Sequence, residues 1–164
     1  MQTIPRQKIT EAWDRLCEME EEEVNSVVKE FMEEQPALGI YLFSSMEDLE
    51  GGPESTPLID LVILAWQVMR STADRPLKSV SPEDIENAEE ANTSSLEDLE
   101  EASEAEWENS VRDLVENYNQ RELMGFGLEV LMSDHEENPE LAPDSVGMEM
   151  MWLKTVIDCL DKNS

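Results

Sequence analysis

The sequence predicts an all-α protein. Apolar residues recur at three- and four-residue spacing in one segment after another, which is the pattern of amphipathic helices. No segment shows sustained alternation of apolar and polar residues between hairpin turns, so no strand is expected. Glycine is scarce, with 6 in 164 residues, and apolar residues make up 40% of the chain. That apolar share is too high for wholesale disorder, and we expect about six helices in one compact bundle spanning residues 1–164.

The first helix is expected to begin at Thr10 and to end near Glu34. Its inward stripe keeps helical spacing through Trp13, Leu16, Val24, Val27, Val28 and Phe31. Glu20, inside the run of glutamates 20–23, falls on that stripe at a position where an apolar residue is expected. The helix should therefore bend or loosen at this point.

Proline and glycine separate the helices that follow. Pro36 should open a short helix that reaches Met46, because proline is favoured at the first helical position. Gly51-Gly52-Pro53 is the clearest helix breaker in the chain, and Thr56-Pro57 offers a new start. The segment 58–69 is apolar nearly all round, which predicts a helix that its neighbours surround.

The stretch 73–94 is polar and predicts an acidic linker or a loosely held helix. Ser81-Pro82-Glu83-Asp84 resembles a capping box, but Ile85 is the one large apolar anchor that follows it. Helical periodicity then returns, and further helices are expected over residues 96–117, 119–134 and 144–160.

The order of a long helix, a short helix and an apolar helix occurs twice, and one interpretation is an internal duplication of about 86 residues. The matching positions are Val24, Val27, Val28 and Phe31 with Val111, Leu114, Val115 and Tyr118, Gln35 and Leu38 with Gln120 and Leu123, and Trp66 with Trp152. The halves would be 10–72 and 95–161, joined by the linker 73–94, with the two tryptophan helices central. The alternative interpretation is that any two amphipathic helices align at several apolar positions.

Charge excludes two classes of partner. The 11 Lys and Arg residues stand against 40 Asp and Glu residues, giving a formal net charge of −29. Such a surface repels phosphate backbones and anionic lipid headgroups, so direct binding to nucleic acid or to a membrane is not expected. The most apolar run, 58–69, is also shorter than the roughly 20 residues that a spanning helix needs.

The cysteines and the N-terminal residues indicate a cytoplasmic protein. Cys17 and Cys159 lie far apart and lack the spacing of a metal or redox motif, so free thiols are expected. The first residues lack the apolar stretch of a signal peptide.

Motifs for catalysis and for cofactor binding are missing. The chain has no GxSxG elbow, no GxxxxGK[ST] phosphate loop, no GxGxxG turn and no EF-hand loop. His135 is the only histidine, and no second His or Cys lies near it in sequence to complete a transition-metal site. A histidine in the last turn of a helix interacts favourably with the helix dipole without any further role. We therefore expect no cofactor, no bound metal and no catalytic residue.

The strongest functional signal is an acidic segment. Between Lys78 and Arg112 there are 12 acidic residues and no basic one. On a helix, neighbouring members of one set of glutamates stand one turn apart and predict a docking face for a basic protein: Glu97, Glu101, Glu104 and Glu108. The alternative for these residues is a solvated surface that keeps the protein in solution.

Three functions remain open at this point. The leading hypothesis is a non-enzymatic cytoplasmic helical module that binds another protein. The first alternative is an acidic nucleic-acid mimic that inhibits a basic DNA-binding protein. The second is a metal-dependent enzyme built on carboxylates, which would require inward-facing glutamates at matching depths in the bundle.

Overall fold

The computed structural model describes residues 1–47, 49, 56–100, 117–137 and 145–164. In this part of the chain there are seven helices and no strand, so the all-α prediction is confirmed, with one helix more than expected. The helices are α1 (Arg6–Cys17), α2 (Glu21–Glu34), α3 (Pro36–Met46), α4 (Leu58–Thr72), α5 (Pro82–Glu100), α6 (Arg121–Glu137) and α7 (Ser145–Lys162).

The long first helix that the sequence predicts is in fact two helices. The first, α1, begins at Arg6, directly after Pro5, so Thr10 is not its N-cap. The Thr10 hydroxyl instead donates to the Arg6 carbonyl oxygen at 3.2 Å, inside the helix. Proline has no N–H to satisfy, which suits it to the start of a helix.

The break between α1 and α2 is stabilised by the residue that interrupts the apolar stripe. The Glu20 carboxylate accepts the backbone N–H of Glu23, and the Glu23 carboxylate accepts the backbone N–H of Glu20 at 3.1 Å. This reciprocal arrangement satisfies two backbone donors that the first turn of a helix leaves free. Glu20 is therefore an N-cap, and the expected bend is a complete interruption of the helix.

Two helices form the centre of the fold. Helix α4 contacts α1, α2, α6 and α7, and helix α7 contacts α3, α4, α5 and α6. The Trp66 side chain of α4 is fully buried and packs edge-to-face against Phe31, with 5.6 Å between the ring centroids. The nearly all-round apolar pattern of this segment thus matches its position between four neighbours.

Helix α5 includes most of the stretch whose polar composition predicts a linker. Its predicted capping box is present, because the Asp84 N–H donates to the Ser81 hydroxyl oxygen at 3.2 Å and the Ser81 N–H donates to the Asp84 carboxylate at 3.4 Å. Ile85 and the polar Asn92 are both buried, and α5 packs against α3 and α7. Polar contacts thus hold a helix that apolar periodicity alone does not reveal.

Two buried glutamines bind backbone outside the helices in the same way. The Gln35 side chain accepts the Val80 N–H at 2.9 Å and donates to the Lys78 carbonyl at 3.1 Å. The Gln120 side chain accepts the Ile4 N–H and donates to the Gln2 carbonyl, both at 3.2 Å. Each glutamine thus links a distant segment to the core just before that segment enters a helix. The likeness of these two clamps accords with an internal duplication, which stays a prediction.

Replacing either clamp glutamine by alanine should destabilise the fold. We expect Gln35→Ala and Gln120→Ala each to lower the free energy of unfolding by about 1–3 kcal/mol, because each leaves a backbone N–H and a backbone carbonyl without a partner. Urea unfolding measured by circular dichroism provides the values. Gln7→Ala is the matched control, since Gln7 is exposed and its side-chain amide donates to Glu11, one helical turn away. Losses equal to that of the control would show that the clamps are dispensable.

Candidate partner-binding surface

The predicted docking glutamates lie mostly outside the described residues. Glu97 belongs to α5, and only its place in the helix is described. Glu101, Glu104 and Glu108 fall outside the described ranges. The docking face that these four residues would form therefore stays a prediction.

Negative charge is concentrated on two described helices, α2 and α5. Helix α2 has six glutamates and one lysine, and helix α5 has eight acidic residues and no basic one. Both helices contact α3, which has no charged residue of its own. An uncharged helix thus lies against two strongly acidic ones.

Helix α3 exposes apolar side chains on its outer face. Its inner face, with Leu38, Leu42 and Met46, is buried in the core. On the outer face, Ile40 is 66% exposed and Phe43 is 39% exposed. The two stand one turn apart on the helix and form the α3 patch. Single exposed apolar residues are ordinary, but adjacent ones in a highly charged protein point to a contact surface.

The α3 patch lies on the side of the helix between its two acidic neighbours. Gly39 faces α2, because a side chain at this position would overlap Met32. Tyr41 faces α5, where its hydroxyl lies 3.2 Å from a carboxylate oxygen of Glu89. Successive residues of an α-helix are separated by about 100° around its axis. The Ile40 side chain therefore points midway between the direction of α2 and that of α5.

A polar network fixes α5 against α7. Lys154 of α7 donates to Asp158 at 2.7 Å and to the side-chain oxygen of Asn92, in α5, at 2.8 Å. The Asn92 amide nitrogen donates in turn to Asp158 at 3.1 Å and to Thr155 at 3.0 Å. Tyr118 donates to the other Asp158 oxygen, and its burial beside that carboxylate raises the pKa of its hydroxyl well above the ordinary value. This network holds the acidic helix α5 in a defined position beside the α3 patch.

His135 lies in the last turn of α6, as predicted, close to a buried carboxyl group that no sequence motif marks. This is Glu149 of α7, which is 6% exposed and whose pKa is raised by burial. Its position as the one acidic residue among the apolar residues 146–153 is the signal that could have revealed it. Within the described ranges, no group of three or more His, Cys, Asp or Glu side chains is arranged to hold a metal ion.

The α3 patch also has a signal in the sequence, distinct from helical periodicity. The eleven residues of α3 include more large apolar side chains than one buried face can hold. Such a short helix must leave some of them uncovered unless neighbours surround it on all sides. Apolar residues in excess of the buried face thus mark a candidate contact surface.

Comparisons with known proteins found no similarity to this chain. No protein family model, no curated protein and no solved structure matches the chain. In the part of the chain that the structure describes, every helix is too short or too polar to cross a membrane.

Proposed function

We propose that this protein is a non-enzymatic helical module that binds a basic protein partner. The observation that carries the proposal is the α3 patch between α2 and α5. The partner segment that fits it is an amphipathic helix with an apolar stripe and flanking Lys or Arg residues. Its stripe would cover Ile40 and Phe43, and its cations would face the carboxylates of the two neighbouring helices.

Charge complementarity supports this choice of partner. Opposite charges accelerate encounter and suppress wrong partners, whereas the buried apolar contact supplies most of the affinity. The predicted docking glutamates Glu97, Glu101, Glu104 and Glu108 extend the same acidic character along the chain from α5 and are part of the proposal.

The nucleic-acid mimic remains the principal alternative. A mimic would use rows of carboxylates alone, so the α3 patch would not contribute to its binding. Competition by duplex DNA for a captured partner would favour the mimic over the helical module.

The proposal includes a cytoplasmic setting and an ancestral duplication. Cys17 and Cys159 are both free thiols, which accords with a reducing compartment. The paired clamps of Gln35 and Gln120 support the duplication, because each glutamine binds two backbone groups, two residues apart, in a segment that directly precedes a helix.

The test uses a model peptide in place of the partner. A Leu/Lys peptide with leucines at helical spacing should bind, and a peptide of the same composition in scrambled order should bind more weakly. Fluorescence anisotropy at several salt concentrations gives the dissociation constants. We expect the double variant Ile40→Ser, Phe43→Ser to weaken binding about tenfold or more, because it removes the apolar contact while leaving every charge in place.

The matched control is the double variant Met132→Ser, Met148→Ser. These methionines are 48% and 41% exposed and lie on α6 and α7. A fourth protein, with Glu97, Glu101, Glu104 and Glu108 changed to glutamine, tests the predicted docking face. If the α3 and methionine variants bind the ordered peptide equally well, binding depends on net charge alone and the proposed surface is wrong.

A further inference from the structure

A cavity of about 350 Å³ opens between α1, α2 and α4. Its apolar wall consists of Trp13, Leu16, Met19 and Val24. The Trp13 ring is held by an edge-to-face contact with Phe126, with 5.6 Å between the centroids. The volume is at the small end of the range of ligand sites, about 300–1,000 Å³. The cavity is large enough for one side chain or one small molecule.

The polar groups of the cavity are acidic or neutral. Asp60, in the first turn of α4, and Glu21, in the first turn of α2, contribute carboxylates, and Asn25 contributes an amide. Among the described residues, no Lys or Arg lines the cavity. Partial withdrawal from water raises the pKa of the Asp60 carboxyl. Because no cation offsets these charges, the cavity favours positive ligands.

Cys17 provides a chemical probe of this cavity. Its thiol lines the wall at the C-terminal end of α1, the end at which the helix dipole favours cations. Burial raises the pKa of the Cys17 thiol, and the negative charges of Asp60, Asp14 and Glu18 raise it further. Two acidic residues, Asp60 and Glu21, thus line a cavity whose apolar wall has one aromatic and three aliphatic or thioether side chains.

We propose that this cavity binds an organic cation with an apolar stem, in which the charged head lies at Asp60 and the stem packs against Trp13, Leu16 and Val24. A lysine side chain of a protein and a free alkylamine share this chemistry. An anion would be repelled by the carboxylates, and a neutral apolar ligand would gain no charge contact with Asp60. The proposal does not depend on the α3 patch, because no residue of α3 lines the cavity.

The test measures how fast N-ethylmaleimide, an uncharged reagent, alkylates Cys17 in the folded chain. Peptide mass spectrometry separates Cys17 from Cys159, which is 1% exposed and should react only if the chain unfolds. Increasing n-butylammonium at constant ionic strength should slow the alkylation of Cys17 to a plateau. Ammonium ion, which lacks the stem, and n-butanol, which lacks the charge, should protect it far less.

Asp60→Asn should weaken the protection by n-butylammonium about fivefold, because it removes the charge that binds the head group. Asp74→Asn is the matched control, since Asp74 is exposed and lies outside the cavity. Glu21→Gln is a second variant that keeps the test valid if Asp60→Asn exposes Cys159 by unfolding.

A further probe, N-acetyl-lysine amide, distinguishes a lysine side chain of a protein from a free alkylamine as the source of the cation. Protection by this compound at lower concentration than by n-butylammonium would assign the cavity to a lysine side chain of a protein partner. Protection by the free amine alone would assign it to a small molecule. The proposal is overturned if n-butylammonium gives no saturable protection, if n-butanol protects equally well, or if Asp60→Asn and Glu21→Gln retain the full effect.

Discussion

Trp66→Ala should lower the free energy of unfolding by about 3–5 kcal/mol, a larger loss than we expect from any of the other substitutions. The Trp66 ring is fully buried in the central helix α4, packs against Phe31 and lies 5.0 Å from the guanidinium carbon of Arg70. Alanine would remove the whole ring and leave a cavity that the surrounding helices cannot fill. Urea unfolding followed by far-ultraviolet circular dichroism measures the change.

The variant Trp66→Phe provides the comparison for Trp66→Ala. The Trp66 indole N–H is buried and has no hydrogen-bond partner in the described part of the structure. Phenylalanine removes this unsatisfied donor while it keeps most of the apolar contact with Phe31. We therefore expect a loss of about 1–2 kcal/mol, well below that of alanine. A loss below about 1 kcal/mol for Trp66→Ala would contradict the central position of this side chain.

Asp158→Ala should produce the second largest effect, a loss of about 2–3 kcal/mol in the free energy of unfolding. Asp158 accepts hydrogen bonds from Tyr118, Lys154 and Asn92. The Lys154 side chain is only 16% exposed, so removal of the carboxylate leaves a largely buried cation without its counter-ion. The loss should exceed the small gain from reducing the net negative charge.

A double-mutant cycle separates the ion pair from the rest of the network. Asp158→Asn, Lys154→Met and the double variant are compared with the parent protein by urea unfolding. We expect the double variant to lose less than the sum of the two single losses, by about 1 kcal/mol, because each single variant leaves an uncompensated charge. Additive losses would mean that the charges of Lys154 and Asp158 act independently.

Several elements could be predicted because local chemistry dictates them. Pro36 opens α3, the reciprocal Ser81–Asp84 contact opens α5, and the apolar segment that contains Trp66 is the central helix α4. In each case a residue's own backbone preference, or the apolar pattern within a few turns, is sufficient to predict the helix. The same reasoning gave a wrong prediction at Glu20, where a bend was expected and the helix ends. A glutamate that interrupts an apolar stripe can either bend a helix or cap a new one.

The position of α5 could not be predicted from periodicity. Its buried Asn92 is held by Lys154, Thr155 and Asp158, more than sixty residues further along the chain. A polar side chain has no preferred face in a hydrophobic pattern, so its burial depends on partners that only the folded chain brings near. The candidate surface and the cavity share this property, because both depend on which helices become neighbours.

The sequence by itself determined the helical class, several helix boundaries, the burial of Trp66 and the strongly acidic character of the protein. All of these follow from interactions between residues a few positions apart, or from composition. Only the tertiary structure decided that Ile40 and Phe43 remain uncovered, that Gln35 and Gln120 hold distant backbone, and that Asp60 and Trp13 line the same cavity. The physical reason is that amphipathicity specifies which face of a helix avoids water, whereas the packing of the whole chain decides what covers that face.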